Sequence, residues 1–115
     1  MNNNTILIPD EISALLRELV SELQEAVGHD LDKVILYGSY SRGDYSEDSD
    51  IDIMVLTSDS DRKKYNDLAA ELSLTYLMKY GKLVSLAFNN RDYYDQWKES
   101  MDLFQFVEKE GILLL

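Results

Sequence analysis

Hydrophobic residues near the start of the chain recur at the three- and four-residue spacing of one helical face. They occupy positions 12, 15, 16, 19, 20, 23 and 27, a period that predicts an amphipathic helix over residues 9–27. Pro9 suits the first turn of a helix, and Gly28 can supply the left-handed residue that ends one. We therefore expect a leading helix that ends at Gly28.

Three apolar stretches predict β-strands. Residues 33–37 are a short run rich in β-branched and aromatic side chains, which favour a buried strand, and the apolar residues 83–88 predict a further strand. Residues 49–56 begin as an alternating pattern, with positions 50, 52 and 54 on one side and positions 51, 53 and 55 on the other. This strand has one face that carries carboxylates. The asparagine pair at 89–90 marks the turn after the last of the three strands.

Two further segments are predicted to be helical. A stripe at positions 65, 68, 69, 72 and 76 predicts a long helix that starts after N-cap candidates at residues 57–60 and ends at Gly81. Residues 91–110 have helical character in two pieces, stopped by Gly111. The order helix, strand, strand, helix, strand, helix, without repeat or linker, predicts one α/β (α+β) domain over residues 1–115.

The charge and composition of the chain exclude several classes of function. It has 22 acidic and 11 basic residues, a formal charge of -11, which repels nucleic-acid backbones and anionic membrane surfaces. It has no cysteine, so disulfides and thiolate metal sites are excluded. The apolar runs fall far short of the about 20 residues of a membrane span, and residues 1–4 show no secretory signal. We expect a cytoplasmic protein without a membrane or a direct nucleic-acid partner.

Two carboxylates at the start of the second strand point to metal chemistry. Asp50 and Asp52 occupy alternate strand positions, so both side chains point the same way with Cα atoms about 6.5–7 Å apart. Such oxygen ligands suit Mg²⁺, which is usually held by one or two carboxylates and completed by substrate phosphates. The pair therefore implies a phosphorylated substrate.

The loop before this strand carries groups that bind phosphate. Gly38 lies where the first strand ends and lets backbone N–H groups approach a phosphate, and Ser39 adds a hydroxyl. Arg42 either reaches phosphate oxygens or braces the loop through an ion pair with Asp44, Asp48 or another acidic neighbour. A polyphosphate site beside a metal site indicates nucleotidyl transfer.

The stretch from residue 38 to residue 52 resembles the signature of the minimal nucleotidyltransferases of the DNA-polymerase-β-like superfamily. That signature is Gly-Ser, ten residues, Asp-x-Asp, and residues 40–49 form the ten-residue gap. The local forms Gly-Ser-x-x-Arg-Gly and Ser-Asp-Ile-Asp match closely, and the chain length, the leading helix, the flanking strands and the final Glu-Gly-Ile-Leu-Leu at 110–114 are also similar. The resemblance implies a mixed sheet packed against helices on one side.

The same resemblance implies a donor, a metal and a partner. ATP is the expected donor. Two Mg²⁺ ions are expected to bind together with the nucleotide, and catalytic Asp50 and Asp52 are expected to hold them. Gly38, Ser39 and Arg42 are expected to bind the donor phosphates. Such proteins resemble the antitoxin of a pair whose toxin is a helical HEPN-type ribonuclease, and the implied reaction transfers AMP to a tyrosine of that toxin. A rival interpretation is an antitoxin that acts by occlusion alone, and a third is an enzyme that modifies a small molecule.

One feature of the family has no match. The third carboxylate of the superfamily comes from a later strand, but residues 82–88 contain no Asp or Glu. Ser85 is the only short polar residue within that apolar stretch and is expected to occupy or neighbour the missing position. Loss of a general base lowers rates by about 10²–10⁴-fold, so we expect slow or single-turnover transfer.

Two apolar features near the C-terminus admit more than one interpretation. Tyr93, Tyr94 and Trp97 have the spacing of ordinary helix packing, which we favour over adenine stacking or a partner-binding patch. Residues 112–115 are apolar and predict either a last strand on the sheet or part of a protein interface.

Overall fold

Residues 8–115 are described in a computed structural model of the protein. The α-helices are α1 (Asp10–Val27), α2 (Ser39–Arg42), α3 (Arg62–Tyr80), α4 (Arg91–Trp97) and α5 (Asp102–Glu110), and a short 3-10 helix spans Gly28–Asp30. The strands are β1 (Leu31–Tyr37), β2 (Ile51–Thr57), β3 (Val84–Asn90) and β4 (Ile112–Leu113). Within residues 8–115, no helix is both long and apolar enough to span a bilayer. Residues 1–4, which underlie the expectation of a cytoplasmic location, lie outside the described residues.

The strands form a mixed sheet in the order β3-β2-β1-β4. Strand β1 is antiparallel to both β2 and β4, whereas β2 and β3 are parallel. The predicted α/β class is therefore confirmed. Of the two interpretations of the apolar C-terminus, residues 112–113 form the last strand, with Ile112 paired to Leu36.

Helices pack on both faces of the sheet, so the expectation of helices on one side is wrong. Side chains of α1 and α3 pack with Val34 and Leu36 on one face. Side chains of α4 and α5 pack with Ile35 and Met54 on the other face. The physical reason lies in β1, whose consecutive apolar residues point alternately to the two faces and need cover on both.

Several element boundaries differ from the predicted ones by one or two residues, and two of these differences have a clear local cause. Helix α3 is capped by Asp61, whose carboxylate accepts a hydrogen bond of 3.2 Å from the Lys64 amide, because β2 continues through the first of the predicted cap residues. Asn90 is the last residue of β3 rather than part of a separate turn. Its side-chain oxygen accepts from the amides of Asp92 and Tyr93 at 2.9 and 3.1 Å, so the strand passes directly into α4.

The packing of α4 and α5 against the sheet can be tested by substitution of Phe104. Phe104 is 1% exposed, and its ring lies 4.7 Å from the ring of Tyr94 between centroids. We expect Phe104→Ala to lower the free energy of unfolding by about 3–5 kcal/mol. Phe106 lies on the same helix but is 56% exposed, so Phe106→Ala should change the free energy of unfolding by less than about 0.5 kcal/mol. Urea denaturation of both variants measures the difference, and equal losses would contradict this packing.

Candidate functional site

The loop after β1 turns sharply at Gly38 into the short helix α2. Gly38 has φ 80° and ψ -156°, a conformation that is essentially restricted to glycine. Its carbonyl accepts from the amides of Ser41 and Arg42, both at 3.1 Å, and from the Ser41 hydroxyl at 2.8 Å. These bonds close the first turn of α2, and Ser39 is the first residue of this short helix.

The carboxylate of Asp52 lies directly against Gly38. In the antiparallel register of β1 and β2, Tyr37 pairs with Asp52, which brings the end of β1 beside the acidic strand. A Cβ atom at Gly38 would collide with the Asp52 carboxylate and would lie 3.2 Å from its Cγ. The predicted phosphate loop (residues 38–42) and the acidic strand (β2 with the preceding Asp50) therefore meet at one point, where the packing leaves room only for glycine.

Asp50 and Asp52 differ in their surroundings. Asp50 is exposed and immediately precedes β2, whereas Asp52 lies within the strand and is half-buried. Burial raises the pKa of Asp52, and the negative charges of Asp50 and Glu110 raise this pKa further against an opposing effect of Arg42. The two aspartates are thus close enough for their charges to interact.

Ser85 lies beside Asp52 on the neighbouring strand. Strands β2 and β3 are parallel, and their register pairs Asp52 with Ser85. Paired residues on adjacent strands point to the same face of a sheet. The position next to Asp52 on β3 therefore carries an exposed hydroxyl and no carboxylate.

Arg42 forms two ion pairs. Its Nε donates to Asp44 at 3.1 Å, and its Nη1 donates to Glu110 at 3.0 Å. The hydrogen bond to Asp44, followed by the bond to Glu110, raises the pKa of Arg42. Of the two roles considered for Arg42, these contacts correspond to bracing of the loop, and one of them reaches the end of α5.

Two residues that border this site, Tyr37 and Glu110, are not among the site residues predicted from the sequence. Tyr37 precedes Gly38, and burial followed by the charge of Asp52 raises its pKa. Glu110 accepts from the Gly38 amide at 3.3 Å. The position of Tyr37 next to the glycine was an available signal. Glu110 lies at the end of a helix, 68 residues from Arg42 in the sequence. Its only sequence signal is its place in the segment 110–114, which resembles the family.

The aromatic residues near the C-terminus separate into core and surface. Tyr94 is 2% exposed, and its hydroxyl donates to Glu108 at 2.6 Å, so the packing interpretation holds for this residue. Tyr93 and Trp97 are each more than two-fifths exposed, at 45% and 41%. They lie on the α4 surface, and the Tyr93 ring also contacts the ring of the buried Phe104 edge-on, with 6.0 Å between centroids.

The donor groups of the site fit Mg²⁺ only if the nucleotide contributes ligands. Among residues 8–115, no group of three or more histidine, aspartate or glutamate side chains is arranged to hold a metal ion. Asp50 and Asp52 offer carboxylate oxygens alone, the donor type that Mg²⁺ prefers, and this ion commonly takes its remaining ligands from water and substrate phosphates. These two residues would hold an ion that binds together with a polyphosphate.

Comparison with known families identifies the class of protein. The family described as "Nucleotidyltransferase domain" matches residues 16–104, which include the whole stretch from Gly38 to Asp52. The chain belongs to this nucleotidyltransferase family. The prediction of a minimal nucleotidyltransferase is thereby confirmed.

Individual relatives agree with this assignment. A Methanocaldococcus jannaschii protein named "Putative protein adenylyltransferase MJ0604" is 33% identical over 99 residues, which cover 86% of this chain and 93% of the relative. A crystal structure of a toxin-antitoxin with AMP-PNP superposes with a TM-score of 0.63 at 27% identity, over 87% of this chain and 72% of the other. A structure of a tri-AMPylated Shewanella oneidensis HEPN toxin in complex with its MNT antitoxin shares the fold, with a TM-score of 0.58 at 24% identity over 90% and 71% of the two chains.

Proposed function

We propose that this protein is a Mg²⁺-dependent nucleotidyltransferase that transfers AMP from ATP to a hydroxyl group of a partner protein. The observation that carries the proposal is the contact between the Asp52 carboxylate and Gly38, because it brings the loop proposed to bind phosphate against one of the two carboxylates proposed to hold the metal. The relative named as a protein adenylyltransferase supports AMP as the transferred group.

Each residue of the proposed site has a distinct role. Gly38 and Ser39 bind the donor phosphates through the turn at the start of α2. Asp50 and Asp52 hold Mg²⁺, which, when bound, neutralises charge on the α-phosphate and on the leaving pyrophosphate. Arg42 braces the loop and does not contact phosphate directly, because its guanidinium forms ion pairs with Asp44 and Glu110.

The proposed reaction balances without a further reactant. The acceptor hydroxyl oxygen forms a bond to the α-phosphorus of ATP, and the bond from that phosphorus to the oxygen that bridges to the β-phosphate breaks. Pyrophosphate leaves with the electron pair, and the hydroxyl proton passes to water. The products are a phosphodiester-linked AMP on the partner and free pyrophosphate.

We infer that the partner is a helical toxin of the HEPN type and that the acceptor is one of its tyrosines. The similarity to a toxin-antitoxin with AMP-PNP supports a toxin as the partner, and the HEPN type and the tyrosine acceptor are what the family resemblance of residues 38–52 implies. The net charge of -11 also favours association with a basic protein surface.

Labelled ATP tests the proposed reaction. The protein is incubated with Mg²⁺, the protein encoded by its neighbouring gene, and ATP that is radiolabelled at either the α- or the γ-phosphate. We expect the partner to acquire the α label but not the γ label, and a chelator to prevent this. Absence of α label, or transfer of both labels, would overturn the proposal.

Occlusion without chemistry is the second candidate function. It is favoured by one observation, that Asp52 is paired with a serine on β3, a strand that contains no Asp or Glu. If Asp52→Ala still neutralises the toxin in cells at normal expression, occlusion is sufficient. If neutralisation fails while the complex still forms, transfer is required.

Ser85 provides a gain-of-function test of the metal site. We expect Ser85→Asp to increase the rate of transfer at limiting Mg²⁺, because the new carboxylate would share the face of the sheet with Asp52, its partner in the register. Without metal, the same substitution should lower the melting temperature because three negative charges then repel one another. Ser85→Asn is the matched uncharged control, and an equal effect of both variants would contradict the expectation.

A further inference from the structure

The sheet brings Glu110 to the phosphate loop. In the antiparallel register of β1 and β4, Leu36 pairs with Ile112, and continuing this register by two residues places Gly38 opposite Glu110. The Glu110 backbone is fixed from both sides, because α5 ends there and β4 begins after the buried Gly111. Its carboxylate therefore reaches the loop from a rigid part of the fold.

The carboxylate of Glu110 binds two groups of the loop at once. One oxygen accepts from the Gly38 amide at 3.3 Å, and both oxygens accept from Nη1 of Arg42, at 3.0 and 3.2 Å. The Glu110 side chain is only 17% exposed, whereas that of Asp44, the other partner of Arg42, is 62% exposed. Charge-assisted bonds are stronger in the less exposed pair, and exposed pairs contribute little.

We propose that Glu110 is a positioning residue of the nucleotide site, which fixes the Gly38 amide and the Arg42 guanidinium so that the loop keeps the shape that binds the donor phosphates. This inference rests on the proposed function and extends it to a residue outside the region that matches the family, residues 16–104. Arg42 then acts on the nucleotide through the shape of the loop, with Glu110 as its essential partner.

A different role predicts the opposite effect on ATP binding. If the carboxylate merely occupied the place of a phosphate, the nucleotide would have to displace it, and its removal would tighten ATP binding. If it positions the loop, its removal weakens ATP binding. The Michaelis constant for ATP separates the two roles, whereas partial unfolding would lower kcat alone.

The experiment compares Glu110→Gln with Asp44→Asn, which removes the exposed partner of the same arginine. We expect Glu110→Gln to lower kcat/KM by about 10–100-fold, the effect of losing a partner that orients a ligand-binding group, with a raised KM for ATP. Asp44→Asn, which removes only the more exposed ion pair, should affect both constants much less than Glu110→Gln does. The double variant Arg42→Gln with Glu110→Gln should be no worse than the worse single variant, because the two side chains act as a unit.

Hydrogen exchange of the Gly38 amide gives a readout that needs no catalysis. In metal-free protein without nucleotide, we expect faster exchange at Gly38 in Glu110→Gln than in the wild type and in Asp44→Asn. Unchanged exchange, or a KM for ATP that is unchanged or lowered, would overturn the positioning role. If the wild type transfers no AMP, calorimetric titration with Mg-ATP replaces KM and the exchange result still stands. A wild type that also binds no ATP would overturn both proposals.

Discussion

Replacing Asp52 with asparagine is expected to lower the rate of AMP transfer by more than about 100-fold. Loss of a group that merely orients a metal ligand already lowers activity by up to about 100-fold, and Asp52 is proposed to be a ligand itself. Asparagine has nearly the same shape as aspartate, so the contact with Gly38 can persist while the negative charge that would bind Mg²⁺ is lost. The measurement is the initial rate of α-label transfer from ATP to the partner at saturating Mg²⁺.

The same substitution should stabilise the protein at neutral pH. Burial, followed by the charge of Asp50, raises the pKa of Asp52 above its ordinary value of 3.8 in the folded state. Between 3.8 and the higher folded value, the folded protein keeps a proton that the unfolded chain has released, so stability falls as the pH rises through this window. Asparagine removes this cost above the window and changes nothing below it.

Chemical denaturation in metal-free buffer across the acid and neutral range measures this pH dependence. Asp48→Asn is the matched control, because Asp48 is an exposed loop residue and its loss removes the same charge. We expect the control to retain transfer activity and to lack the pH-dependent gain in stability. An Asp52→Asn protein that is inactive but less stable than the wild type at neutral pH would indicate a structural role for the carboxylate.

Much of the fold could be predicted from local patterns. The position of helix α1 follows from the spacing of its hydrophobic residues, and its end follows from Gly28. The alternation of side chains along residues 51–55 correctly separates the two faces of β2. The second helical layer was not predictable in this way. The apolar run in β1 shows that both of its faces need cover, but the residues that cover the second face, such as Phe104, come from a helix far along the chain.

Local sequence predicts the part of the candidate site whose residues are close together in the chain, whereas Ser85 could be placed near it only through the resemblance to the family. Gly38, Ser39, Asp50 and Asp52 lie within one short stretch, and the antiparallel return from β1 to β2 brings them together. Glu110 and Ser85 reach the site through pairings with distant strands, β1 with β4 and β2 with β3. Strand order and register decide these contacts, and neither is encoded in local periodicity.

Gly38→Ala is expected to have the second large effect, a loss of activity of at least about 100-fold, because small misplacements of catalytic groups can cost that much. Two penalties combine at this position. The backbone conformation, φ 80° and ψ -156°, costs a residue with a side chain about 1–3 kcal/mol. The new Cβ atom also collides with the Asp52 carboxylate, so either the loop or the side chain proposed to hold the metal must move.

Gly28→Ala separates the two penalties. Gly28 has nearly the same conformation, φ 70° and ψ -140°, but a Cβ atom there would meet nothing within 4 Å. We therefore expect Gly28→Ala to lower the free energy of unfolding by the backbone cost alone and to leave transfer activity intact in the folded protein. Gly38→Ala should cost more in stability and lose activity as well.

Shortening Asp52 should relieve only the collision. In an Asp52→Ala background, Gly38→Ala should cost no more free energy of unfolding than Gly28→Ala does, because the carboxylate that the new Cβ atom meets is absent. The double-mutant cycle therefore measures the contact between the phosphate loop and the acidic strand independently of any activity. Additive effects of Gly38→Ala and Asp52→Ala would mean that the loop and the strand do not touch, and the proposed site would lose its physical basis.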